Sequence, residues 1–208
     1  GAQIAAEYQG DVNRPALLLS NSLATTRALW DPVMPDLLKA FRVVRYDTRG
    51  HGESATPNDH ATLADLADDA VAVLDHFQIQ KALMVGISLG GMTALTLALN
   101  HPARLTGVLA CNCRAGVDEA GRAAWAQRVD IALTQGMGTL VQPTIERWFP
   151  KDFCEANPSV MAIVADMIQA TEPNGFAACV QAIMGSTLDS HLSEITVTTR
   201  FVAGDSDG

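Results

Sequence analysis

"KALMVGISLGGMTALTLALNHP", Lys81 to Pro102, decides the fold. Its first part, "KALMVGIS", is a short apolar run that reads as a buried strand. Its second part, "GGMTALTLALNHP", reads as a helix that ends before Pro102. Between them lies Gly86-Ile87-Ser88-Leu89-Gly90, the pattern G-x-S-x-G. A strand-to-helix turn this sharp forces its serine into a strained backbone conformation, and only small flanking residues pack around it. The hydroxyl then projects above the sheet at a helix N-terminus, where partial positive charge favours a developing oxyanion. The motif alone is weak, because a glycine-rich turn can carry an incidental serine. Its position between strand and helix makes Ser88 the predicted nucleophile.

Working outward, "PALLLS" (Pro15–Ser20) and "RVVRYD" (Arg42–Asp47) read as buried strands, and "LTGVLACN" as a fourth. "WDPVMPDLLKAF" offers an amphipathic helix, and "TRGHGESATPND" is turn chemistry throughout. "TLADLADDAVAVLDHF" places Leu63, Leu66, Ala70, Val73, Leu74 and Phe77 on one helical face, with Thr62 and Asp65 spaced as an N-terminal capping pair. Strands alternating with helices, and apolar on both faces, predict an α/β architecture: a mostly parallel sheet flanked by helices. From Val117 to Leu192 the pattern is helical only, and "TVTTRFVAG" then returns as a strand. The expected division is a core over residues 1–116, a helical cap over 117–192, and a return to the core over 193–208. The cap is expected over the sheet's C-terminal edge, where open parallel sheets bind ligands.

Composition narrows the function. A chain of 208 residues supports one sizeable domain. The formal charge of −9, offset by no basic block, argues against nucleic acid or an anionic membrane surface as partner. No stretch approaches the roughly 20 apolar residues of a membrane span, and "GAQIAAEYQG" shows no signal-peptide pattern. Cys111-Asn-Cys113, Cys154 and Cys179 lack the spacing of a zinc or thioredoxin motif, so they read as free thiols in a reducing cytoplasm.

An oxyanion hole needs two backbone N–H groups. Leu89, after the nucleophile, supplies one. The other comes from the loop after the first central strand, "SNSLATT" (Ser20–Thr26), where Leu23 is the best candidate.

The order of elements, the G-x-S-x-G turn and "RYDTRGHGES" (Arg45–Ser54) resemble the α/β-hydrolase superfamily. "LLLSNSLATTRALWDP", "YDTRGHGES", "ERWFP" and "GFAAC" together resemble the 3-oxoadipate enol-lactonases, and the similarity runs through essentially the whole chain, cap included. The resemblance implies a hydrolase that opens the enol-lactone of 3-oxoadipate in the breakdown of aromatic acids, without metal or cofactor. It implies cap helices that close over a small lactone or ester. By position it assigns Ser88 as nucleophile, Leu23 and Leu89 as oxyanion donors, and Asp207 as the triad acid in the Gly204-x-x-Asp207 turn. Asp205 competes for the last role. Many enzymes of this type carry His-Gly where this chain has Asn21-Ser22, a difference that a main-chain donor tolerates. The implied substrate bears a carboxylate, for which Arg114 and Arg147 are the candidate partners. Each is equally well read as a solvated arginine, and Trp148 as either pocket wall or cap core.

The base is the expected gap. The order Ser, Asp, His requires a histidine after the acid, whereas His51, His60, His76, His101 and His191 all precede Asp207. His191, where the cap rejoins the core, is the one tempting substitute. The family pattern continues for about 50 to 60 further residues, with a last strand, the histidine loop and a closing helix. These elements are expected to be absent here and the chain truncated, unless another chain supplies the histidine. The competing readings are a related esterase or lactonase with another substrate, and an inactive fragment or binding scaffold.

Overall fold

The computed structural model describes residues 2–57 and 60–205. Six strands form one sheet among these residues: β1 (Ala6–Gln9), β2 (Ala16–Ser20), β3 (Arg42–Tyr46), β4 (Ala82–Ile87), β5 (Leu105–Cys111) and β6 (Thr199–Val202). Their spatial order is β1-β3-β2-β4-β5-β6. β1 runs antiparallel to β3, and every other pairing is parallel. The C-terminal ends of the four central strands therefore face one way, with Ile87 opposite Cys111 and Ser20 opposite Gly86.

Alternation along β2 assigns the faces, as a period of two requires. Ala16 and Leu18 join the larger core with α2 (Leu63–His76) and α3 (Leu89–Asn100). Leu17 and Leu19 join Val43 and Met34 on the other face. α2 begins with the expected reciprocal cap: Thr62 accepts from the Asp65 amide, while the Asp65 carboxylate accepts from the Thr62 amide. α3 is buried on all sides from Leu89 to Ala98, which explains why its sequence shows no polar face.

The helix expected over Trp30–Phe41 is much shorter. A 3-10 segment occupies Arg27–Val33, and only Met34–Leu37 forms α-helix, α1. Pro32 and Pro35 lack the N–H that helix propagation needs, so the apolar period persists while the helix does not.

Between β5 and β6 the chain is helical: α4 (Glu119–Gln135), α5 (Gly138–Trp148), α6 (Lys151–Ala156), α7 (Pro158–Ala170) and α8 (Pro173–Met184). Ala132, Leu140, Ile145, Ile168, Phe176 and Val180 from these helices share one continuous core with the sheet and α2–α3. No helix among the described residues is long and apolar enough to cross a membrane.

Candidate active site

Ser88 sits where β4 turns into α3. Its φ of 55° and ψ of −114° place a non-glycine residue in a region that costs about 1–3 kcal/mol. The strain is held from both sides. The Ser88 amide donates to the Cys111 carbonyl at 2.9 Å, and the Ser88 carbonyl accepts from Met92 at 3.1 Å to begin the helix. Ser88 as a residue is only partly buried.

Two glycines make the turn possible. A Cβ on Gly86 would collide with the carbonyl oxygen of Gly90. One on Gly90 would collide with the Ser20 carbonyl and lie 2.8 Å from that of Asn21. The Ser20–Thr25 loop thus packs backbone to backbone against the turn that carries Ser88.

That loop is tied by hydrogen bonds, mostly to residues outside it, although it has no regular structure. The buried Asn21 amide donates to the Tyr46 carbonyl at 2.7 Å and accepts from Trp30 Nε1 at 2.7 Å. Ser20 Oγ and the Tyr46 hydroxyl share a 2.9 Å bond, and burial pushes that phenol above its ordinary range. The Ser22 carbonyl accepts from Thr25 Oγ1 at 2.8 Å, and the Ala24 amide donates to His51 Nε2 at 2.9 Å. Among the described residues, neither the Leu23 N–H nor the Leu89 N–H donates to any group. Leu89 lacks a partner because it opens a helix.

The Asn112 amide donates to the Val202 carbonyl at 2.8 Å, so β6 ends at the same edge as Ser88. Asp207 lies outside the described residues. Asp205, the competing acid, is exposed.

No described histidine hydrogen-bonds to Ser88. His51 is buried with both ring nitrogens engaged, Nε2 by Ala24 and Nδ1 by the Arg49 carbonyl at 3.1 Å. His101 pairs with Asp68 at 2.7 Å, and His76 packs edge-on against Phe77. His60 is exposed. His191 meets Glu194 at 2.8 Å and lines a cleft of about 460 Å³ with Leu99 and Asn100. That places it at the C-terminal end of α3, roughly 15 Å along the helix from Ser88. His191 therefore lies away from Ser88.

The cation candidates also separate. Arg114 is exposed just beyond β5, and Arg147 is exposed on α5 with its guanidinium 5.5 Å from the Trp125 ring. Trp148 is half-buried, packs against the shared core and meets Phe149 edge-on at 6.5 Å, which favours cap core over pocket wall. A further arginine that sequence reasoning did not single out, Arg128, lies 4.7 Å over the same Trp125 ring from one turn along α4. It is half-buried, burial pulls its pKa down, and no described carboxylate pairs with it. The signal was present as Trp-x-x-Arg, one helical turn apart. No group of three or more His, Cys, Asp or Glu among the described residues could hold a metal ion.

Residues 15–130 match the sequence pattern of the α/β-hydrolase fold. The chain belongs to this family. It is 34% identical over 198 residues to 3-oxoadipate enol-lactonase 2 of Acinetobacter baylyi, a match that covers 95% of this chain and 73% of that protein. The crystal structure of the enol-lactonase from Burkholderia xenovorans superposes with a TM-score of 0.94 at 34% identity, over 98% of this chain and 78% of that one. A thermophilic esterase from Thermogutta terrifontis superposes at 0.90 with 26% identity, over 98% and 75%. These relatives are hydrolases, and two of the three are named for lactones.

Proposed function

We propose that this chain is the Ser88-bearing part of an enzyme that opens an enol-lactone carrying a free carboxylate, as in 3-oxoadipate enol-lactone. Ser88 Oγ attacks the ring carbonyl, the ring oxygen leaves, and the resulting acyl-enzyme is hydrolysed by water. The Leu23 and Leu89 N–H groups receive the oxyanion. Asp207 orients a histidine base that none of the chain's own five histidines supplies. The observation that supports the reading is Ser88 at a positive φ in the turn between β4 and α3, with the Ser20–Asn21 backbone packed against Gly90 of the same turn.

Arg128 is the preferred partner for the substrate carboxylate, with Arg114 and Arg147 as the alternatives. A guanidinium that is half-buried on an indole and lacks a carboxylate gains most from a bound one. Closure of α4–α8 over the lactone and a place in cytoplasmic aromatic-acid catabolism belong to the same reading. The expected behaviour of the full-length gene product is rapid opening of the acidic enol-lactone, lost in Ser88→Ala. Retained turnover in that variant would refute the assignment.

A second reading has its own support. The similarity to a thermophilic esterase makes a related serine esterase with another acyl substrate the alternative. Comparing kcat/KM for the acidic lactone with that for neutral esters of the same size separates the two.

A further inference from the structure

We propose that His51 is a positioning residue that sets the oxyanion loop, linking the docking of α8 to the geometry around Ser88. It rests on the proposed role of Leu23 as an oxyanion donor.

Two consecutive peptide planes of the loop are each held by a side-chain hydrogen bond. In the Ser22–Leu23 peptide, the carbonyl accepts from Thr25 Oγ1 at 2.8 Å and from the Thr25 amide at 3.3 Å. A trans peptide then directs the Leu23 N–H the opposite way. In the Leu23–Ala24 peptide, the amide donates to His51 Nε2 at 2.9 Å. This second bond holds Ala24 at a φ of 60°, a left-handed conformation that costs an alanine roughly 1–2 kcal/mol. Without an acceptor at Nε2, Ala24 loses the bond that offsets this cost, and the Leu23–Ala24 peptide, which follows the Leu23 N–H directly, shifts and strains the Thr25 contacts on its neighbour.

The tautomer follows from the partners. A carbonyl only accepts, so Nδ1 carries the proton toward Arg49 and the Nε2 lone pair faces Ala24. The imidazole is neutral and has no lone pair left for the serine proton. Its role is geometric.

The turn that bears His51 is clamped by two helices. Arg49 Nε and Nη2 meet the Asp69 carboxylate of α2 at 2.6 and 2.8 Å. The Arg49 carbonyl, which receives Nδ1–H, also receives the Cys179 thiol of α8 at 3.5 Å. Gly50 and Gly175 touch backbone to backbone, so closely that a Cβ on either would collide with the other. A displacement of α8 is therefore transmitted through the Arg49–His51 turn to Ala24. The chain of contacts joins the inserted helices to the loop without passing through Ser88.

The test compares His51→Leu, which removes the acceptor, with His51→Gln, whose side-chain oxygen can replace it, in the full-length protein. Activity on p-nitrophenyl acetate is normalised to the serines titrated by a fluorophosphonate. The expected result for His51→Leu is a fall in kcat per titrated site of about 10- to 100-fold, the range just below outright loss of an oxyanion donor. KM is expected to move less than about twofold, and His51→Gln to recover most of kcat. An unchanged kcat per titrated site, with only the folded fraction reduced, would mean that His51 is merely structural and would overturn the proposal. Nitrogen NMR of the wild type decides the same point where no ester is turned over or His51→Leu does not fold. A proton on Nδ1 and a slowly exchanging Ala24 amide are expected, and a proton on Nε2 would overturn it. Failure of the serine-hydrolase reading alone appears as wild-type inactivity with the NMR result intact.

Discussion

The Ser88 amide reaches the Cys111 carbonyl across 2.9 Å, which keeps the strained residue within the hydrogen-bonded sheet edge. One residue further, Asn112 bonds Val202, so β4, β5 and β6 end along one line. The strain at Ser88 is thus opposed by the hydrogen-bonded edge of the sheet, and the residue is held for reasons unrelated to its own preference.

Removing the side chain should release that strain. Ser88→Gly is expected to abolish ester turnover while stabilising the fold by about 1–2 kcal/mol, since glycine adopts the same φ without penalty. A thermal melt checks it: the midpoint should rise by roughly 2–8 °C for a chain of this size. An unchanged or lower midpoint would show that the conformation is not strained.

Gly90→Ala should act in the opposite direction. The added methyl meets the backbone carbonyls of Ser20 and Asn21, which cannot swing away as a flexible side chain would. The expected cost is about 1–3 kcal/mol in denaturant unfolding. In the folded fraction kcat should fall more than KM rises, because the displaced loop contains Leu23.

Substrate charge should be read by Arg128. Arg128→Met is expected to raise KM for the acidic lactone about 10- to 100-fold, the worth of one charge-assisted hydrogen bond. Neutral esters should be spared. Arg114→Met and Arg147→Met, assayed alongside, are expected to have smaller effects, and an equal effect of Arg128→Met on both substrates would remove it from the site.

Acid should loosen the His51 contact. Burial holds this imidazole below its ordinary range, against the Arg49 carbonyl and the Asp47 charge that favour protonation. The remaining neighbour on the turn, the Cys179 thiol of α8, is pushed up to about 12 and stays neutral. A base with a depressed folded pKa binds fewer protons folded than unfolded. Its contribution is therefore intact above the unfolded value of about 6.5 and declines as pH falls below it. Denaturant midpoints at about pH 7 and pH 5 check this, with a larger drop expected for wild type than for His51→Gln.

The sheet and the Ser88 turn were legible because β2, β3, β4 and β5 are buried apolar runs bounded by turn residues. Glycines at 86 and 90 fit one geometry. The Trp30–Phe41 helix misled because its apolar spacing is genuine, while two prolines remove the donors that would sustain it. Arg128 did not stand out because a helical Trp-x-x-Arg spacing is common on surfaces, and only half-burial without a described carboxylate distinguishes it. His51 read as part of a turn. Its reach to Ala24 spans 27 residues of sequence, a separation that local pattern cannot show. Asp207 remains an assignment by resemblance.

The most direct measurement is fluorophosphonate labelling of the full-length protein followed by peptide mass spectrometry. Stoichiometric modification of Ser88 is expected, lost in Ser88→Ala together with lactone opening. An active preparation in which Ser88 stays unlabelled, or a label on another serine that tracks activity, would contradict the assignment of Ser88 as nucleophile.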